Sequence, residues 1–199
     1  LFDKFIGQTK SETFKKINLY EKKEINLVSK PLDLNKFEEV DIIEDKENQV
    51  SSLVIEKETG NKFFAIKLKK NYEMALIEVN YICKFNHPCI LKFIGYSDVD
   101  FKKAHIPVTI TEFASYGILE DIIINRPEIL DDTKKYKIIY GIAHSISYLH
   151  SHDIIHCDIS IKNVVIDSEF QPKLSNFNLS RGINDSKEMH MNTFLPTPR

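Results

Sequence analysis

Residues 152–163 read His152-Asp153-Ile154-Ile155-His156-Cys157-Asp158-Ile159-Ser160-Ile161-Lys162-Asn163. They place a carboxylate, Asp158, and a carboxamide, Asn163, five positions apart in a short connection. On the N-terminal side a helix is predicted over about 132–149. Asp131-Asp132-Thr133 opens it, and Tyr136, Ile139, Ile142, Ala143, Ile146 and Leu149 share one face. On the other side short strands are predicted around Asn163–Ile166 and Lys173–Leu174. Ser175-Asn176-Phe177-Asn178 follows, and a polar tail starts at Ser180.

Further upstream the pattern is β from Asn35 to about Leu68. Val40, Ile42 and Ile43 form one apolar run and Leu53-Val54-Ile55 another, and Glu58-Thr59-Gly60-Asn61 is a hairpin turn signal. Lys62–Leu68 then alternates, with Phe64, Ile66 and Leu68 on one face and Phe63, Ala65 and Lys67 on the other. A lysine beside an alanine on one strand face is a cation next to open space. Residues 71–85 are predicted helical, with Met74, Glu78, Tyr81, Ile82 and Phe85 on one stripe. Glu78 is therefore a carboxylate on an apolar face. Either it meets a cation, of which Lys67 is the obvious candidate, or it lies at the stripe's edge and reaches water. Strands over Ile90–Tyr96 and Pro107–Phe113 follow. Ala114-Ser115-Tyr116-Gly117 then makes a flexible crossing into the helical half. The fold class is α+β on a two-lobed plan. Residues 1–34 read as an extension or linker, 35–113 as a β-rich first lobe and 114–199 as part of a second.

The chain has 199 residues with 27 Lys+Arg against 29 Asp+Glu, a net charge of −2. That balance argues against a nucleic-acid binder, which carries a basic surplus. Hydrophobic residues at 42% and charged residues at 28% are those of a globular chain rather than a disordered one. No apolar run approaches the roughly 20 residues of a membrane helix, so no membrane association is expected. Three cysteines cannot build a disulfide framework, which favours a reducing, cytoplasmic compartment. Two groupings could be read as metal sites: His144, His150, His152 and His156, and Cys83, His87 and Cys89. The first lacks a partner cluster at fixed spacing and the second is too tight for the usual zinc pairs. Both are read as local groupings rather than metal centres. The start on Leu1 and the end on Pro196-Thr197-Pro198-Arg199 read as a piece cut at both ends.

Taken in order, Phe64-Ala65-Ile66-Lys67, Glu78, His156-Cys157-Asp158 with Asn163, and Ser175-Asn176-Phe177-Asn178 resemble the eukaryotic protein kinase domain. Its signatures are V-A-I-K, a helix glutamate, H-R-D-x-x-x-x-N and D-F-G. Asn86-His87-Pro88-Cys89-Ile90-Leu91 is similar to the segment after the family's glutamate helix. Thr111-Glu112-Phe113-Ala114-Ser115-Tyr116-Gly117 is similar to the hinge of tyrosine kinases and tyrosine kinase-like enzymes. The resemblance covers roughly 37–199. It implies an antiparallel β N-lobe with one helix, joined to the first part of a mainly helical C-lobe. It also implies ATP and Mg²⁺ as cofactors and a protein substrate or partner. Lys67 would hold the phosphates and Glu78 would hold Lys67. Asp158 would orient the substrate hydroxyl. Asn163 and Asn176 would be the metal ligands. Ala65 and Val165 would sandwich the adenine, with Thr111 as gatekeeper and the backbone of Glu112 and Ala114 at its edge.

The departures from that pattern point the other way. Counting back from Ala65 puts the family's three loop glycines at Glu44, Lys46 and Gln49, and the adenine-covering valine at Ser51. Glycine lets backbone close over phosphate, whereas Glu44, Asp45 and Glu47 bring like charge to a polyanion. Asn176 replaces the D-F-G aspartate and Asn178 its glycine, and a hard divalent ion prefers carboxylate. Cys157 replaces the H-R-D arginine, so a phosphate on Ser180, Ser186, Thr193 or Thr197 would find no cation there. Ser160 replaces a lysine, with Lys162 as a substitute cation. Three readings follow: a kinase with impaired phosphoryl transfer to Ser/Thr or Tyr hydroxyls, a pseudokinase acting as a binding or scaffolding module, or a gene fragment without function.

Overall fold

The computed structural model describes residues 32–69 and 78–183. Expectations for residues 1–31, for the start of the 71–85 helix and for Ser186, Thr193 and Thr197 lie outside the described residues. Alternating apolar residues fold into five antiparallel strands: β1 (Phe37–Asp45), β2 (Gln49–Glu56), β3 (Lys62–Leu68), β4 (Phe93–Ser97) and β5 (Val108–Glu112). They lie in the order β1-β2-β3-β5-β4. The Glu58–Asn61 signal does make the β2–β3 turn. Glu56 N–H donates to the Asn61 carbonyl at 2.9 Å, and Gly60 sits at φ +73°, which a side chain would resist.

The register of that hairpin sets what each face of β3 meets. Ala65 pairs with Ser52 and Lys67 with Val50; on the other side Ala65 pairs with Ile110 and Lys67 with Val108. The Ala65/Lys67 face is capped by Leu34 and Phe37, with Leu32 and Phe101 alongside. Ala65 is fully buried in this cluster. The open space expected beside it is filled. Phe64 and Ile66 point the other way, in register with Thr111 and Thr109. The Val40-Ile42-Ile43 run is β as expected, and it lies at the edge of the sheet; all three side chains are more than half exposed, and the β1 register slips twice along them.

A two-residue strand, β6 (Gly117–Ile118), leads into helix α1 (Leu119–Asn125) and then the long helix α2 (Asp132–Ser151). The short α1 runs against its local sequence, since Ile122-Ile123-Ile124 is a β-branched run. Glu120 and Asp121 in its first turn favour the helix. The Asp131 side chain caps α2, accepting from Lys134 N–H at 2.8 Å. The buried stripe of α2 is Ile138, Gly141, Ser145 and Leu149, a face rotated from the aliphatic one expected. Tyr136 and Ile139 are instead largely exposed. The cause is the close approach of β9 (Pro172–Leu174) to α2. A Cβ on Gly141 would lie 2.4 Å from Pro172 Cγ, so small residues hold the contact line.

The remaining elements are β7 (Ile154–Ile155), β8 (Val164–Ile166) and β10 (Arg181–Gly182), arranged as β6-β8-β9 and β10-β7 ribbons. Ile122, Leu149, Ile166, Leu174 and Phe177 form the core beneath them. Residues 78–82 are helical, and Ile82 enters the same core.

Candidate functional site

Asp158 and Asn163 lie on the connection between β7 and β8, which is stitched from both sides. His156 is buried, and its Nε2–H donates to the Ser175 carbonyl at 3.0 Å, while its Nδ1 accepts from Asp158 N–H at 3.3 Å. Those two bonds require the neutral ring with its proton on Nε2. Burial holds the His156 pKa below the usual imidazole range, and the bond to Ser175 opposes that shift. Asn163 donates through Nδ2 to the Asp158 carbonyl at 2.9 Å. Its own carbonyl accepts from Ser175 N–H at 2.9 Å. The Asp158 carboxylate takes no hydrogen bond or ion pair among the described residues, and the residue is partly buried.

Asn163 and Asn176, the two expected metal ligands, are in direct contact. Asn176 Nδ2 donates to Asn163 Oδ1 at 2.9 Å. Because Asn163 Nδ2 is committed to Asp158, its Oδ1 must face Asn176, which must answer with N–H. Asn176 holds a left-handed backbone, φ 65° and ψ 68°, which asparagine tolerates better than most residues. A hard divalent ion takes oxygen ligands and not amide N–H. Here one oxygen meets one amide N–H, so the donor set as arranged does not fit Mg²⁺.

Lys67 and Glu78 are not brought together. Lys67 Nζ lies 2.7 Å from Glu39 Oε1 of β1, on the capped face of the sheet, and 6.0 Å from the Phe101 ring centroid. Glu78 neither meets Lys67 nor turns simply to water. Its carboxylate accepts from Phe177 N–H at 3.3 Å. Burial pushes the Glu78 carboxyl above the usual carboxylate range, against the pull of that N–H. A raised folded-state pKa disfavours the ionised form, so the stabilising contribution is complete below the unfolded value and is lost as pH rises through the folded one. Denaturant midpoints should therefore fall over that window for the wild type and stay flatter for Glu78→Gln. Equal slopes for the two proteins would count against this assignment.

The adenine set divides as well. Thr111 pairs with Phe64 and Ala65 with Ile110, so Ala65 and Thr111 occupy opposite faces of the sheet. Ser51 shares the Thr111 side, since it pairs with Ile66. Val165 is half-buried in β8. The Glu112 carboxylate accepts from Lys92 N–H at 2.7 Å and from Lys173 Nζ; its backbone N–H is used by the Lys92 carbonyl, and the Ala114 carbonyl by Gly117 N–H. Lys46 lies in the β1–β2 turn, with Glu44 near the end of β1 and Gln49 opening β2. There Lys46 N–H closes on the Gln49 carbonyl at 2.9 Å. The acidic charge is matched locally, Glu44 by Lys46 and Asp45 by Lys69. Lys162 is exposed, 3.7 Å from Glu120. A recess of about 490 Å³ is lined by Leu34, Phe37, Glu39 and Phe101 and not by Asp158 or Asn163.

An antiparallel five-stranded sheet, one crossing into a helical half, and an Asp/Asn loop behind the long helix define the two-lobed protein kinase class. Residues 46–198 match the family described as "Protein tyrosine and serine/threonine kinase", and the chain belongs to that family. It is 35% identical over 123 residues to a putative serine/threonine-protein kinase/receptor of Acanthamoeba polyphaga mimivirus, covering 60% of this chain and 7% of that protein. It is 30% identical over 125 residues to a tyrosine-protein kinase receptor of Caenorhabditis elegans, covering 63% and 11%. It is also 30% identical over 125 residues to a probable serine/threonine-protein kinase of Arabidopsis thaliana, covering 62% and 31%. The chain thus spans less than a third of each of these relatives. No helix among the described residues is long and apolar enough to cross a membrane.

Proposed function

We propose that this kinase-family chain works as a pseudokinase, a binding module for a protein partner with little or no phosphoryl transfer. The observation that carries this reading is Lys67 held by Glu39 on the capped face, with Thr111 on the opposite face. Phosphoryl transfer is positioning and charge neutralisation, and a lysine buried in an ion pair elsewhere supplies neither. The Asn163–Asn176 bond and the closed β1–β2 turn support it. Its three cysteines are unpaired, which suits a reducing, cytoplasmic setting. The Asp158 carboxylate, unpaired among the described residues, favours a second reading, an impaired protein kinase acting on Ser/Thr or Tyr hydroxyls.

Thermal shift with ATP, with and without Mg²⁺, separates the two. A site filled at 100 times its Kd adds about 2.7 kcal/mol of stability. The expected result is no Mg²⁺-dependent rise in Tm and the same response from Lys67→Ala. Transfer of the γ-phosphate to a protein acceptor above an Asp158→Asn background would overturn the proposal in favour of the impaired kinase.

A further inference from the structure

The two groupings that look incomplete in the sequence contribute to one cluster in the fold. His87 and Cys89 lie in the segment between the helical residues 78–82 and β4, and His144 lies on α2. One donor atom from each falls within 4.8 Å of the others. His87 Nε2 and His144 Nδ1 are 3.2 Å apart. Two nitrogens on a tetrahedral Zn²⁺ at about 2.05 Å stand roughly 3.3 Å apart, so the two imidazoles already hold that separation, here as a hydrogen-bonded pair that an ion would replace. The Cys89 sulfur lies within 4.8 Å of both nitrogens, and a move of up to roughly 1–2 Å completes the third corner at a Zn–S length near 2.3 Å.

The surroundings suit a sulfur ligand. Cys89 is buried, and Gln171 Nε2 donates to its Sγ at 2.9 Å, the kind of N–H contact that steadies metal-bound thiolate. Lys173, the nearby cation, is itself held by Glu112 and Asp167. The rings are fixed by aromatic neighbours, His144 by Tyr140 and His87 by Tyr148. His144 is exposed, which gives an ion an entry path and a fourth position for water.

We propose that His87, Cys89 and His144 form a binding site for a borderline-soft divalent cation of the Zn²⁺ type, with water as the fourth ligand. The ion would pin the His87–Cys89 segment to α2. The proton balance is simple. Cys89 loses its thiol proton to solvent. The His87 proton moves from Nε2 to Nδ1, and the bond that Nδ1 accepts from Cys89 N–H at 3.1 Å is given up. Nitrogen and thiolate donors select Zn²⁺ over Mg²⁺ or Ca²⁺, so this site is chemically separate from Asn163 and Asn176.

The test uses the full chain stripped with a chelator and titrated with Zn²⁺ or Co²⁺ alone. One Zn²⁺ should bind per chain and raise Tm reversibly, and the Co²⁺ form should show thiolate-to-metal charge transfer and tetrahedral d–d bands. His144→Ala should lower Zn²⁺ affinity about 100-fold or more, at least the loss seen when an outer partner of a metal ligand is removed. His150→Ala, on the same helix outside the cluster, should bind as wild type does. Equal Zn²⁺ affinity in wild type and His144→Ala would overturn the site. So would a Co²⁺ spectrum without the thiolate band, a measurement on wild type that stands even if the variant fails to fold.

Discussion

Phe177→Ala is expected to destabilise the chain by about 3–5 kcal/mol, the usual cost of emptying a fully buried aromatic site. Phe177 has no exposed surface. Its ring packs 5.5 Å from the Phe85 centroid and edge-on to His156 at 4.8 Å, and its N–H binds Glu78. One side chain therefore touches the segment after the Glu78 helix, the Asp158 loop and the core around Leu149 and Leu174. Since a domain of this kind holds only about 5–15 kcal/mol, the variant should unfold at a much lower urea concentration. Phe177→Leu refills most of the volume and should lose about 1.5 kcal/mol or less. A Phe177→Ala loss below about 1 kcal/mol would mean that the ring does not join these elements.

The motif order was readable because each motif depends on neighbours in the chain. Asp158 and Asn163 share a loop whose ends are set by local periodicity, and Gly60 marks its turn by its own backbone freedom. The alternation of β3 was also readable, and Ala65 and Lys67 do share a face. What that face meets was not. It is fixed by the pairing of Ala65 with Ser52 and Ile110, and a shift of one residue would turn Lys67 to the other side. Nothing local in Phe64-Ala65-Ile66-Lys67 reports that choice, nor that Leu34 and Phe37 cover it. The buried face of α2 differs from its aliphatic stripe for a related reason. Aliphatic residues drew the stripe through Ile139, whereas the contact with Pro172 selects Gly141 and Ser145 for their small size. His87 and His144 are 57 positions apart, and no spacing rule joins them.

Asn176→Asp separates the loss of the metal site from the loss of the lysine. In the wild type the Asn176 amide satisfies Asn163 Oδ1, so the site is stable without an ion. The substitution replaces that donor with an acceptor. Asn163 cannot turn to answer it, because its Nδ2 is bound to the Asp158 carbonyl. Two oxygens then face each other, at a cost of about 1–3 kcal/mol for the unpaired group. The backbone is no obstacle, since aspartate tolerates φ 65° much as asparagine does. Facing oxygens are what a hard divalent ion binds. Mg²⁺ should therefore restore the variant's denaturation midpoint while leaving that of the wild type unchanged. Phosphoryl transfer should still be absent, because Lys67 remains paired with Glu39. A variant as stable as wild type in chelator would mean that the amide bond contributes nothing. Transfer by the variant would show that the missing carboxylate, rather than the misplaced lysine, limits the chemistry.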